Sequence, residues 1–178
     1  MEDARFWDII DRSLDASDGS VEGQIVALEE ILAQLSPAEI ASFDEAFVSK
    51  KSDLYTWDLW GAAYVLNGGC SDDCFDYFRT WVVGQGRHYY DAVRLEPHTL
   101  GDGGASISAE SFDAELIAYV SADAYERASG GRDLFTDYPM SPSAGDAEEP
   151  SGEEWDEDEV DSLYPELESL PWPDDEDS

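Results

Sequence analysis

The sequence predicts an all-α protein: a single compact bundle of six or seven short helices followed by an acidic, partly disordered C-terminal arm. Three observations predict it. Apolar residues recur at three- and four-residue spacing through the first three quarters of the chain. No strand-length alternation competes with them. Serine caps and glycine pairs fall where the stripes start and stop. With 178 residues, 42% hydrophobic and 12% aromatic, the chain is long enough for one core.

Phe6, Trp7, Ile9, Ile10 and Leu14 form the first stripe, which ends near Gly19. The second runs from Val21 to Leu35 through Ile25, Leu28, Ile31 and Leu32. Ser36-Pro37-Ala38-Glu39 is the clearest local signal: serine caps, proline suits the first helical position, and Glu39 reaches back to the cap amide. Ile40, Phe43 and Phe47 follow on that helix. A fourth helix is expected to start at Ser52 or Asp53, to carry Trp57, Trp60, Tyr64 and Val65, and to stop at Asn67-Gly68-Gly69. Ser71 caps a fifth, with Asp72 and Asp73 in the first turn, where the helix dipole favours anions. Its apolar face carries Phe75, Phe78 and Val82, with Cys74 and Trp81 beside it. Gly84 and Gly86 bracket a break at Gln85, and Arg87 to Leu95 forms a short helix before Pro97. Residues 99–107 read as loop. Ser108 opens the last long helix, with Phe112, Leu116, Tyr119 and Val120 on its stripe, ended by Gly130-Gly131.

Charge divides the chain. The net charge is −34, from 43 acidic and 9 basic side chains, and no base follows Arg132. The expected organisation is a helical domain over residues 1–132, a flexible linker over 133–154 and an acidic arm over 155–178. Trp155, Leu163 and Tyr164 punctuate the arm's acids, so it reads as an amphipathic helix that docks on its own domain or on a partner, or as a disordered tail.

Such a charge excludes a phosphate-driven nucleic-acid binder and docking on anionic lipid. No apolar run is long enough for a membrane span. The opening Met1-Glu2-Asp3-Ala4-Arg5 lacks the basic-then-apolar order of an export signal, which points to a cytoplasmic protein. Cys70 and Cys74 are the only cysteines, and without export they are expected as free thiols. With only His88 and His98 to add, a zinc site lacks ligands, and no cofactor is expected.

Several stretches carry a family resemblance: Arg5-Phe6-Trp7, Trp57-Asp58-Leu59-Trp60-Gly61-Ala62-Ala63-Tyr64, Gly68-Gly69-Cys70-Ser71-Asp72-Asp73, Phe75-Asp76-Tyr77-Phe78-Arg79-x-Trp81 and Gln85-Gly86-Arg87. Over roughly residues 3–130 the chain resembles the bacterial family known as domain of unknown function 4240. Trp155-Asp156-Glu157-Asp158 and Tyr164-Pro165-x-Leu167 are similar to a C-terminal element of that family. The resemblance implies a shared fold and supplies no reaction and no residue role.

The residues support two functional readings. In the first, a non-enzymatic acidic module binds a basic protein partner, with Trp155, Leu163 and Tyr164 as contacts, because a purely solubilising tail needs no aromatics. In the second, a small enzyme or ligand-binding module places Trp57, Trp60, Asp72, Asp73, Asp76, Arg79 and Arg87 around one site. There Asp72-Asp73-Cys74-Phe75-Asp76 has the D-D-x-x-D form, and carboxylates one turn apart suit magnesium. Arg79 is expected either to hold Asp72, Asp76 or Asp58 in a buried network or to bind an anion through its planar fork. A third reading is adaptation to high salt, which the scarcity of lysine fits and the crowding of acids in the tail does not.

Overall fold

The structure, a computed structural model, describes residues 1–17, 19–101, 107–139 and 145–168. Among them are seven helices of ten to sixteen residues: α1 (Asp3–Ala16), α2 (Val21–Leu32), α3 (Pro37–Ser52), α4 (Trp57–Asn67), α5 (Asp72–Gly84), α6 (Gly86–Leu95) and α7 (Val120–Ser129). Two single turns follow, α8 (Leu134–Asp137) and α9 (Pro165–Glu168). No strand is present among the described residues, so the all-α bundle stands. None of the described helices is long and apolar enough to cross a membrane.

α5 runs through the middle and touches α1, α3, α4 and α6, while α2 and α7 close the far side against α1 and α3. Phe75, Phe78, Val82 and Val83 of α5 are fully buried, as are Phe6, Ile10, Leu32 and Ile40 from its neighbours. Gln24 is the polar seam of this core. Its amide donates to the Gly84 carbonyl at 2.6 Å and to the Ser13 hydroxyl at 3.3 Å, tying α2 to α5 and α1. A side chain at Gly84 would press on that amide, 3.2 Å from its oxygen.

The caps follow the sequence. The Glu39 carboxylate accepts from the Ser36 amide at 3.0 Å and hydroxyl at 2.7 Å, and these bonds hold its pKa below the usual value. Ser71 caps α5 through the Cys74 amide, and Gly68 ends α4 in the left-handed region at φ 66°.

Two expectations are corrected. The fourth helix starts at Trp57 rather than at Ser52 or Asp53, because α3 continues to Ser52 and the Thr56 side chain caps the Leu59 amide. The long helix expected from Ser108 is broken into 3-10 turns at Ala109–Phe112 and Glu115–Tyr119 before α7 begins. The first of these lets Phe112 stack on Phe78 at 4.5 Å, and Leu116 and Tyr119 face solvent instead of the core.

α3 also buries a carboxyl. Asp44 is 6% exposed and accepts a hydrogen bond from the Ser121 hydroxyl of α7. Burial raises its pKa above 3.8, against the lowering pull of Ser121 and Lys51. A raised folded-state pKa means that the native protein holds this proton more tightly than the unfolded chain. Asp44 therefore contributes stability that grows as pH falls through the raised pKa and is complete below 3.8. Asp44→Asn is expected to raise the melting temperature at pH 7, and the difference from wild type should close on acidification. Paired thermal melts from pH 7 to pH 3 check this.

Candidate functional site

The sequence-predicted centre separates into three places. At the first, Arg79 lies buried at 2% exposure in the middle of α5. Its Nη2 donates to Asp76 one turn back at 2.8 Å. Its two terminal nitrogens grip Asp146 in a bidentate pair at 2.8 and 2.7 Å. Nη1 also donates to the Lys51 carbonyl, and the guanidinium faces the rings of Tyr55 at 4.6 Å and Phe75 at 5.1 Å. The second oxygen of Asp76 accepts from the Lys51 ammonium at 2.9 Å. Arg79 thus sits in an internal ion network, with Asp76 as expected and with Asp146 in place of Asp72 or Asp58. Asp146, Lys51 and Tyr55 are the members that sequence reasoning missed.

The second place is the outer face of α4. Trp57 and Trp60 stack at 5.4 Å, and Trp60 stacks in turn on Phe75 at 5.0 Å. Trp155 stands edge-on to both tryptophans and donates its indole N–H to the Trp57 carbonyl at 2.9 Å. Gly61 makes room for it: a Cβ there would lie 3.0 Å from the Trp155 ring and 3.0 Å from Tyr164. The Tyr164 hydroxyl donates to the Asp58 carbonyl at 2.8 Å and to the Asp58 carboxylate, and burial, then Asp58, pushes its pKa up. Val160 and Leu167 are buried beside them. The strand-like stretch around Ser151 lies along residues 55–57, with Ser151 N–H donating to the Tyr55 carbonyl at 3.0 Å and Trp57 N–H donating to the Ser151 carbonyl at 2.8 Å.

So Trp155 and Tyr164 face the chain's own α4, whereas Leu163 is 56% exposed. The carboxylates of this segment point the other way. All nine between Glu148 and Asp161 are exposed, although Glu157 also accepts from the Tyr64 hydroxyl.

The third place is the start of α5. Asp72 and Asp73 are exposed in its first turn, and the Cys70 and Cys74 sulfurs lie 2.8 Å apart as free thiols. Arg87 belongs to none of these places: it pairs with Asp3 at 3.4 Å and Asp91 at 3.5 Å on the surface. His88 is exposed. Among the described residues, no three His, Cys, Asp or Glu side chains converge where an ion would sit. A cleft of about 390 Å³ lies elsewhere, between α3 and α8, lined by Asp44, Glu45, Leu134, Asp137 and Tyr138.

Chemically, the arrangement offers buried charge that is already paired and an outer surface that is strongly negative. Among the described residues, eight of the nine cations make an ion pair within the chain. No curated protein and no solved structure matches the chain. Residues 1–127, which supply the body from α1 through most of α7, match the family described as protein of unknown function (DUF4240), and the chain belongs to that family.

Proposed function

We propose that this protein is a non-enzymatic interaction module that binds a basic protein partner through the carboxylate-covered outer side of residues 145–168. One observation carries the reading. Trp155, Val160, Tyr164 and Leu167 are spent on the body, and the nine carboxylates from Glu148 to Asp161 face solvent with no cation in the segment to offset them. The pairing of eight cations inside the chain leaves that field uncompensated from outside. A single surface pair contributes little, about 0–1 kcal/mol, so affinity and speed of encounter come from many carboxylates acting together. Trp155 and Tyr164 serve by holding the segment in place, and Leu163 is the apolar side chain left to meet the partner. The Arg79 fork does not favour the ligand-binding reading, since Asp76 and Asp146 already fill it.

A titration with a fluorescent lysine-rich peptide tests this at low and high salt. Binding should weaken steeply as salt rises. Neutralising E149Q/E153Q/E154Q/D158N should weaken it several-fold more than neutralising the equally exposed D15N/E22Q/E30Q/E126Q. Equal losses from the two sets would show that overall charge, and not this segment, is what binds.

A further inference from the structure

Cys70 and Cys74 have no part in either the ion network or the acidic surface. They are the only two cysteines of the chain, and their sulfurs touch at 2.8 Å. A formed disulfide spans about 2.05 Å, so bonding needs only a small closing movement of the two side chains. Their surroundings differ. Cys70 is 8% exposed, and burial pushes its thiol pKa up, with the neighbouring Cys74 adding to the effect. Cys74 is half-buried, in the first turn of α5, where its amide is held by the Ser71 hydroxyl. The Asn67 side-chain amide at the end of α4 points an N–H at the Cys74 sulfur, 3.8 Å away. Cys74 is the more exposed of the two cysteines, so its sulfur is the one an oxidant reaches first.

We propose that Cys74 and Cys70 form a redox-responsive dithiol whose oxidant is a small uncharged hydroperoxide. The Cys74 thiolate attacks the peroxide oxygen. The O–O bond breaks, the sulfur becomes a sulfenic acid, and hydroxide or alkoxide leaves. The Cys70 thiol then attacks the sulfenic sulfur, a disulfide forms, and the proton and hydroxyl leave as water. Two electrons pass from the two sulfurs to the peroxide, and a dithiol reductant returns them. An uncharged oxidant is the favoured class because the net charge of −34, with Asp72 and Asp73 exposed beside the pair, repels an anionic one such as glutathione disulfide. The site lies outside the acidic segment and does not depend on partner binding. The bond would close a ring of five residues across the α5 cap, too short to add much through loop entropy.

The test uses the reduced full-length protein and hydrogen peroxide. Intact mass should fall by two hydrogens, and both alkylatable thiols should disappear together within the monomer and return with a dithiol reductant. Cys70→Ser should instead accumulate a sulfenic acid on Cys74, trapped by dimedone, and Cys74→Ser should leave a thiol that peroxide barely touches. Glutathione disulfide should react more slowly at low salt than at high salt. Peroxide treatment that leaves both thiols alkylatable, that gives only disulfide-linked dimers, or that takes Cys74 to sulfinic acid without a disulfide would overturn the proposal. Glutathione disulfide rates that ignore salt would overturn the choice of oxidant.

Discussion

Replacing Arg79 with methionine is expected to cost about 3–5 kcal/mol, the usual consequence of removing one partner from a buried ion pair. The methionine keeps part of the packing beside Tyr55 and Phe75, so packing alone does not account for the loss. What is lost is the charge that Asp76 and Asp146 both depend on. Asp76 keeps Lys51, and both carboxylates are about a third exposed, which places the cost toward the lower end of that range. Asp146 loses its bidentate hold altogether, and with it goes an anchor of residues 145–155 on the body. Urea unfolding of Arg79→Met, Asp146→Asn and the double variant measures this. The two changes should couple by about 0.5–3 kcal/mol, as contacting residues do. Strict additivity would show that the bidentate pair contributes nothing of its own.

Gly61→Leu should detach the C-terminal segment from α4 while the bundle remains folded. Gly61 sits inside α4, where leucine is the better helix former by almost 1 kcal/mol, so the helix itself gains. The cost falls on the neighbours. A Cβ already presses on Trp155 and Tyr164 at 3.0 Å, and the rest of a leucine has no space while they stay. Loss of those contacts exposes an indole and a phenol that together cover much of α4's outer face. Hydrogen exchange should show amides near Ser151 and Leu167 opening to solvent, with α5 amides still protected. Trp155→Ala should produce the same pattern without altering α4. Protection of Ser151 in both variants would mean that the Arg79–Asp146 pair and the backbone bonds of Ser151 hold the segment without the aromatic contacts.

The bundle was largely legible because its signals are local. The Ser36-Pro37-Glu39 cap, the Gly68-Gly69 stop and the apolar stripe of α5 each act within a few residues, and the structure places each as expected. The centre was less legible because its key pairing is not local. Asp146 lies 67 residues from Arg79, in a stretch whose proline, serine and glycine read as linker, and an ion pair leaves no periodic trace in a sequence. Arg87 looked central by its neighbours in sequence, yet the turn at Gln85 carries it to Asp3. The break after Phe112 was hidden for a related reason: Leu116 and Tyr119 keep helical spacing while facing water.

The indoles of Trp57 and Trp60 lie within 8° of parallel, and that of Trp155 stands at 89° and 85° to them. Chromophores fixed so near each other at such angles share their excited states, and a third ring that swings away changes the coupling. Near-ultraviolet dichroism therefore gives this molecule an unlabelled optical gauge of how closely residues near Trp155 lie against α4, readable in the presence of a partner that lacks tryptophan.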